Sequence, residues 1–371
     1  MIKILVTGAD GFIGKNLCIR AAELDHIILP FTRSHALSDL PAMLSGVDAV
    51  IHLAGINRPI TEGEFTTGNA DLTLALCDAI AAQPQKPILL LASSTQAAQP
   101  NAYGASKLAA ENAVRNLASL HGVKAHIYRL PNVFGKWCKP NYNSVVATFC
   151  HNIAQDLPIQ INDATKVLDL VYVDDVVNSF LAIIADDNKT LDQTIDQTIT
   201  PQYSTTLGEL AAHIHSFKNS RNTGVIEQVG IGFTRALYST YISYLTSQQF
   251  AYPLTKHADP RGEFVEMLKT KNSGQFSYFT AFPGVTRGGH YHHTKTEKFL
   301  VIRGTAKFGF RHIITNEQFE INTNGGVPQV VETVPGWTHD ITNIGFEEMI
   351  VMLWANEIFD REKPDTITSK V

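Results

Sequence analysis

Ile2-Lys-Ile-Leu-Val-Thr7-Gly8-Ala-Asp-Gly11-Phe12-Ile13-Gly14 is the stretch that decides the fold of the first half of this chain. The apolar run Ile2–Val6 reads as a buried strand. Ile13, Leu17, Ala21 and Leu24 then recur at helix spacing. Three glycines lie between strand and helix. Glycine permits a tight turn and lets backbone approach a pyrophosphate, whose charge a helix N-terminus favours. The spacing G-x-x-G-x-x-G is a variant of the dinucleotide fingerprint. Alone it is a weak signal, and the strand–turn–helix context strengthens it.

The pattern continues outward. His26–Phe31, Ala49–Leu53, Pro87–Ala92 and Ala125–Arg129 read as further short strands, with a helix over Leu108–Leu120. Strands alternating with helices predict βαβ units and a parallel sheet. Beyond Phe250 the texture changes. Strand-like segments follow closely at Gly274–Phe282, Lys298–Arg303, Ala306–Arg311, Phe319–Ile321, Val327–Val334 and Glu348–Trp354. That spacing predicts an all-β barrel or jelly roll. The expected fold class is α/β plus all-β, divided into 1–247 and 248–371.

A length of 371 residues suits two or three domains. With 44% hydrophobic and 18% charged residues the composition is that of an ordinary globular protein. The net charge of −5 lacks the broad positive field of non-specific nucleic-acid binding, so no nucleic-acid partner is expected. Cys18, Cys77, Cys138 and Cys150 have no paired short spacing, which argues against a disulfide framework. Met1 runs straight into the glycine loop without a charged leader and cleavage site. No apolar run approaches the ~20 residues of a membrane span. A cytoplasmic location and no membrane partner are expected.

The second strand is followed by Thr32-Arg33, where an acidic residue would bind the ribose hydroxyls of NAD. Arg33 suits a 2′-phosphate instead, hence NADP; a solvated surface arginine is the alternative. Tyr103-Gly-Ala-Ser-Lys107 lies at a helix start, and positions four apart share a face. A nearby ammonium favours phenolate, so Lys107 is expected to lower the Tyr103 pKa and suit it to carbonyl chemistry. An ordinary surface pair would give the same spacing. Upstream, Ser93-Ser94-Thr95 supplies hydroxyls. Downstream come Arg129-Leu-Pro-Asn132-Val-Phe-Gly135 and Tyr172-Val-Asp-Asp-Val176.

In this order those motifs resemble the extended short-chain dehydrogenases/reductases that act on nucleotide sugars. The resemblance covers about the first 245 residues. It implies a catalytic triad of Ser94, Tyr103 and Lys107, with Tyr103 donating the proton and Lys107 binding the nicotinamide ribose. Ser94 is preferred over Ser93 and Thr95 by its register after the strand, and these remain alternatives. Cofactor contacts are implied at Gly8, Gly11, Phe12, Ile13, Gly14, Arg33, Leu53, Ala54, Tyr103, Lys107 and Asn132, with the sugar-binding part at about 165–245. The gap between Ser94 and Tyr103 is shorter than in many relatives.

The second half carries Gly284-x5-His290-x-His292-x4-Glu297-x6-Gly304, then Pro335-Gly336-Trp337-Thr338-His339-x3-Asn343. Alternate residues of a strand share a face, so His290 and His292 are expected to point together. Thr294-Lys295-Thr296 reads as the turn that returns Glu297 on the neighbouring strand, and His339 comes from a third. Three imidazoles and a carboxylate suit zinc or another divalent first-row metal. The frame resembles the two cupin motifs, except that Pro335 directly precedes Gly336.

A reductase of this class followed by a cupin resembles the bifunctional capsular-polysaccharide synthesis enzymes that make UDP-N-acetyl-L-pneumosamine on the L-FucNAc route. Lys136-Trp-Cys-Lys-Pro-Asn-Tyr-Asn-Ser144, Leu237-Tyr-Ser-Thr-Tyr241 and His292-His-Thr-Lys295 carry the likeness further. The resemblance implies a UDP-linked 4-keto-6-deoxy amino sugar as substrate and a homodimer. It implies metal-dependent epimerisation at carbon 3, then NADPH-dependent reduction at carbon 4. Two alternatives are kept: a reductase whose cupin is a structural or dimerisation module, and a nucleotide-sugar sensor without turnover. Lys136 and Lys139 are candidate phosphate contacts for UDP, with a solvated loop as the equal alternative.

Overall fold

The computed structural model describes residues 1–185, 195–254, 257–259, 262–264, 268–270, 274–357 and 362–371. The chain divides into two compact units, Met1–Phe134 with Leu168–Ser204, and Gly135–Val167 with Thr205–Val371.

The first unit is built on a six-stranded parallel sheet. Its order is Ile27–Phe31, Lys3–Thr7, Ala49–His52, Ile88–Ser94, Ala125–Leu130 and Ile195–Gln197. Such strands are covered on both faces, so their side chains need not alternate in polarity. Ile4, Leu5 and Val6 are all fully buried. Each contributes roughly 2 kcal/mol of transfer free energy. Leu76, Ile80, Leu89, Val114 and Leu117 belong to one shared core between sheet and helices. The predicted strands and the long helix, Ala102–His121, are present, and the helix begins six residues earlier than its apolar spacing indicates. Asn101 caps it, accepting from the Gly104 N–H at 2.8 Å.

The second unit contains two five-stranded antiparallel sheets. One runs Ala251–Pro253, Gln329–Glu332, Glu297–Arg303, Met349–Ala355 and Gln275–Ala281. The other runs Gln318–Asn324, Thr305–His312, Trp337–Asn343, Thr286–Tyr291 and Ile367–Thr368. Phe299, Val301, Phe308, Phe310, Ile341 and Val351 are buried among them. The helices Val145–Ala154, Leu207–Thr223 and Gly232–Ile242 pack on one another in the same unit.

The break in sequence texture at 247/248 thus falls inside the second unit. Strand spacing begins there, yet residues of the helices before it touch residues after it, Ser239 donating to the His293 carbonyl at 3.3 Å. Phe250 touches Phe310, Phe319 and Trp337 edge-on. Arg221 of the helix Leu207–Thr223 pairs with the strand residue Glu332. We keep 1–247 and 248–371 as a proposal for where two modules join in sequence.

Candidate functional site

In the first unit the strand Lys3–Thr7 runs into Gly8, at φ +70°. A Cβ on Gly8 would lie 2.8 Å from the Ala54 backbone nitrogen, and one on Gly14 would lie 2.3 Å from the Gly8 carbonyl oxygen. The helix Phe12–Glu23 starts at Gly11 with no side-chain cap. Its first N–H groups therefore stay available to an anion. Phe12 and Ile13 open this helix and are half-buried. Thr7 Oγ1 accepts from the backbone N–H groups of Leu53 and Ala54 at 3.2 and 3.1 Å. Thr7 also meets His52 Nδ1 at 2.6 Å. Burial first, then the Lys107 charge, pushes that imidazole down to about 3. Arg33 is exposed beyond the end of the second strand.

Three adjacent hydroxyls have three environments. Ser93 is buried and donates to Glu111 Oε1 at 2.6 Å. Thr95 is exposed. Ser94, last in its strand, accepts from the Gln96 N–H at 3.2 Å and lies close enough to the Tyr103 phenol to favour a lower pKa. Burial outweighs that effect and raises the Tyr103 pKa. This is opposite to the expected lowering by Lys107. The Lys107 ammonium donates instead to the Ala92 carbonyl at 2.9 Å. Burial pushes Lys107 down to about 8 while Glu111 opposes the shift. Asn132 donates to the Asp169 carbonyl at 3.1 Å.

Sequence reasoning missed the supports of this site. Glu111 is fully buried and takes Arg129 in a two-point ion pair, with contacts of 2.9 and 2.7 Å. Its position four residues after Lys107 was a readable signal. Asn69 spans the backbone N–H and carbonyl of Ile56 and donates to Ser106. Nothing in its local sequence marks it.

In the second unit His290, His292, Glu297 and His339 form a candidate metal centre, with one donor atom from each lying within 4.8 Å of all the others. Glu297 Oε2 stands 3.3 Å from His292 Nε2 and 3.5 Å from His339 Nε2. Tetrahedral zinc with ~2.0–2.2 Å bonds would hold its donors roughly 3.4 Å apart. Nε2 of buried His339 makes no hydrogen bond. Burial first, then the neighbouring His339 and His292 rings, pushes the His290 imidazole down to about 3. Burial lowers His339 as well. Burial alone would raise Glu297, yet the two rings and the Lys295 charge hold its carboxyl well below the usual range. A nitrogen and oxygen donor set with an orphaned buried Nε2 on His339 is what such an ion takes up, so these residues fit it.

The strands bring the four together differently from the simple turn that the sequence suggests. His290 is paired with His339 across neighbouring strands of one sheet, next to a bulge after Gly288. His292 lies just past the end of the strand Thr286–Tyr291. Glu297 starts a strand that pairs with Met349–Ala355 and Gln329–Glu332 in the other sheet. The turn crosses between sheets because the chain bends away at Tyr291, where β-pairing stops. Gly336 has φ +81°, and a Cβ there would meet the Trp137 ring at 2.8 Å. Its N–H donates to the His292 carbonyl at 3.1 Å. Lys136 is buried, with its ammonium 5.2 Å from the centre of the Trp137 ring.

Residues 4–195 match the NAD dependent epimerase/dehydratase family. The chain belongs to that family. Residues 257–367 match the family described as polysaccharide biosynthesis C-terminal domain. A Pseudomonas aeruginosa protein named UDP-2-acetamido-2,6-beta-L-arabino-hexul-4-ose reductase is 55% identical over 100% of this chain and 99% of its own length. The crystal structure of the capsular polysaccharide assembling protein CapF from Staphylococcus aureus is 41% identical, covers 100% of both chains and has a TM-score of 0.67. UDP-glucuronic acid 4-epimerase from Bacillus cereus shares the fold at 19% identity and TM-score 0.53, over 59% of this chain and 84% of its own. The epimerase/dehydratase fold and the antiparallel C-terminal half are thus family features.

Proposed function

We propose that this protein is a bifunctional nucleotide-sugar enzyme. The C-terminal cupin epimerises carbon 3 of a UDP-2-acetamido-2,6-dideoxy-4-hexulose. The reductase half then reduces the 4-keto group with NADPH, giving UDP-N-acetyl-L-pneumosamine for L-FucNAc synthesis. One observation carries the reading: a single chain holds both a Ser94–Tyr103 pair beside Lys107 and a buried cluster of three histidines and a glutamate. The name of the 55% identical relative supports the reductase half.

When bound, NADPH supplies hydride for carbon 4, and a divalent metal, zinc by its donor set, supplies Lewis-acid polarisation of the keto oxygen. Tyr103 donates the proton that the reduced oxygen needs. Its phenol is kept protonated by burial, the form an acid requires. Ser94 orients that oxygen, and Lys107 holds the nicotinamide ribose. Thr7 fixes the Leu53–Ala54 backbone beside the glycine loop. Arg33 supports NADPH over NADH. His290, His292, Glu297 and His339 hold the metal. The 4-keto group acidifies the carbon 3 proton, and reduction removes that activation and locks the new configuration.

Among the described residues no helix is long and apolar enough to cross a membrane. We place the enzyme in the cytoplasm as a homodimer, on the same reading.

Two variants separate the halves. Tyr103→Phe should lose NADPH oxidation while still exchanging the carbon 3 proton. His292→Ala should lose exchange while still reducing an already epimerised 4-keto sugar. If His292→Ala exchanges normally and yields the wild-type product, the all-β half is a structural module. No turnover of any UDP-4-keto sugar would leave a sensor.

A further inference from the structure

The turn that joins two of the candidate ligands is held by a residue far away in sequence. Asp365 Oδ1 accepts the backbone N–H of His293 at 2.9 Å. Its Oδ2 accepts the N–H of Thr294 at 2.7 Å, the Thr294 hydroxyl at 2.9 Å and the N–H of Lys295 at 2.7 Å. Three consecutive N–H groups thus converge on one carboxylate, the arrangement of a backbone anion nest filled from within the chain.

The same residue reaches both ligands at the ends of the turn. The Asp365 backbone carbonyl takes the Nδ1 of His292. A carbonyl only accepts, so Nδ1 carries the proton. Nε2 is then the ring atom that faces Glu297 and His339, where it would bind an ion. At the other end Lys295, whose N–H is bound by Asp365, extends its ammonium to Glu297 Oε1 at 2.7 Å. That leaves Oε2 turned toward His292 and His339.

Asp365 is itself secured. Arg235 pairs with Glu357 at 2.7 Å, lies 4.0 Å from Asp365 Oδ2 and donates to the Thr294 hydroxyl. Asn356 donates to the Thr294 carbonyl at 3.2 Å. Just after Asp365 the strand Ile367–Thr368 pairs with His290 and Tyr291, and the Ser369 N–H donates to the Gly289 carbonyl at 2.9 Å.

We propose that Asp365 is a positioning residue of the metal centre, fixing the tautomer of His292 through its carbonyl and the 293–295 turn through its carboxylate. This rests on reading His290, His292, Glu297 and His339 as metal ligands. Partners that orient metal-bound imidazoles and carboxylates are commonly worth about 10–100-fold in metal affinity.

The test is zinc affinity of the full chain, stripped of metal and titrated in competition with a chromophoric chelator. Cobalt(II) visible absorption reports ligand geometry alongside. Asp365→Asn puts an amide NH2 against backbone N–H donors and should weaken zinc binding about 10–100-fold. It should also alter the cobalt spectrum, while far-UV circular dichroism stays native. Asp365→Glu keeps the charge and should recover part of the loss; it also provides the reading if Asp365→Asn does not fold. Asn343→Ala is the control for loss of a buried turn-holding residue. Asn343 donates to Ala281 and Glu347 and accepts from Gly345. That variant should melt earlier with unchanged zinc affinity and spectrum.

Wild-type zinc affinity in Asp365→Asn overturns the proposal, and so does a loss matched by Asn343→Ala. If wild type binds no zinc or cobalt, or His292→Ala binds as well as wild type, the metal centre itself is wrong.

Discussion

Replacing Glu111 by glutamine should move the alkaline limit of catalysis to lower pH. The buried Lys107 ammonium is held at about 8, burial pulling it down and Glu111 pulling it up. The displacement from the usual lysine value amounts to roughly 3 kcal/mol against the charged form. Two unit charges one helical turn apart, ~6 Å, interact by roughly 3 kcal/mol at an effective dielectric of about 20. Arg129 and Arg115 neutralise part of Glu111, at 2.7 and 3.8 Å. We therefore take about 1.4 kcal/mol, or one pH unit, as its net support of Lys107. Removing a negative charge disfavours the ammonium, so the Lys107 pKa falls toward about 7. The assay is kcat/KM for NADPH against pH, which reports the free enzyme. Wild type should decline above pH ~8 and Glu111→Gln above pH ~7. The variant should be about fivefold slower at pH 8 and nearly equal at pH 6. A falling limb that stays in place or moves upward refutes the electrostatic argument. An equal loss at pH 6 and pH 8 shows that Glu111 acts only by packing.

Three further outcomes follow from the geometry. Glu332→Gln leaves Lys298 and Arg221 buried without their counter-charge, and should cost about 3–5 kcal/mol in urea unfolding of the second unit. Gly14→Ala forces a Cβ into the Gly8 and Ala9 carbonyls, at 2.3 and 2.7 Å; NADPH binding followed by fluorescence should be lost at any accessible concentration. Arg33→Asp should reverse the NADPH/NADH preference in kcat/KM, and an unchanged ratio would remove Arg33 from the 2′-phosphate site.

Much of the fold was legible because its signals are local. Strands covered on both faces read as apolar runs, as at Ile4–Val6 and Leu89–Leu91. The meeting of three histidines and a glutamate was legible for a similar reason: His290, His292 and Glu297 lie within eight residues, and His339 sits in its own short motif. What stayed hidden depends on distant partners. Asp365 lies about seventy residues from the turn it binds, and no periodicity marks a lone aspartate near a chain end. The crossing of the 293–296 turn into the opposite sheet is set by where β-pairing stops, which residue spacing does not encode. The same holds for the helices 145–154, 207–223 and 232–242, which look like reductase sequence and fall in the unit that holds the antiparallel strands. Tyr103 was placed by spacing, but the sign of its pKa shift depends on burial, which the sequence did not reveal.

One chain is proposed to carry both an epimerase and a reductase. This is tested most directly by incubating the protein with the UDP-linked 4-keto-6-deoxy amino sugar in deuterated water without NADPH, then locating deuterium by NMR. Deuterium should enter carbon 3 faster than in buffer alone, an exchange abolished in His292→Ala and retained in Tyr103→Phe. Carbon 3 protium that persists at the buffer rate in wild type, under conditions where added NADPH is oxidised, would contradict it.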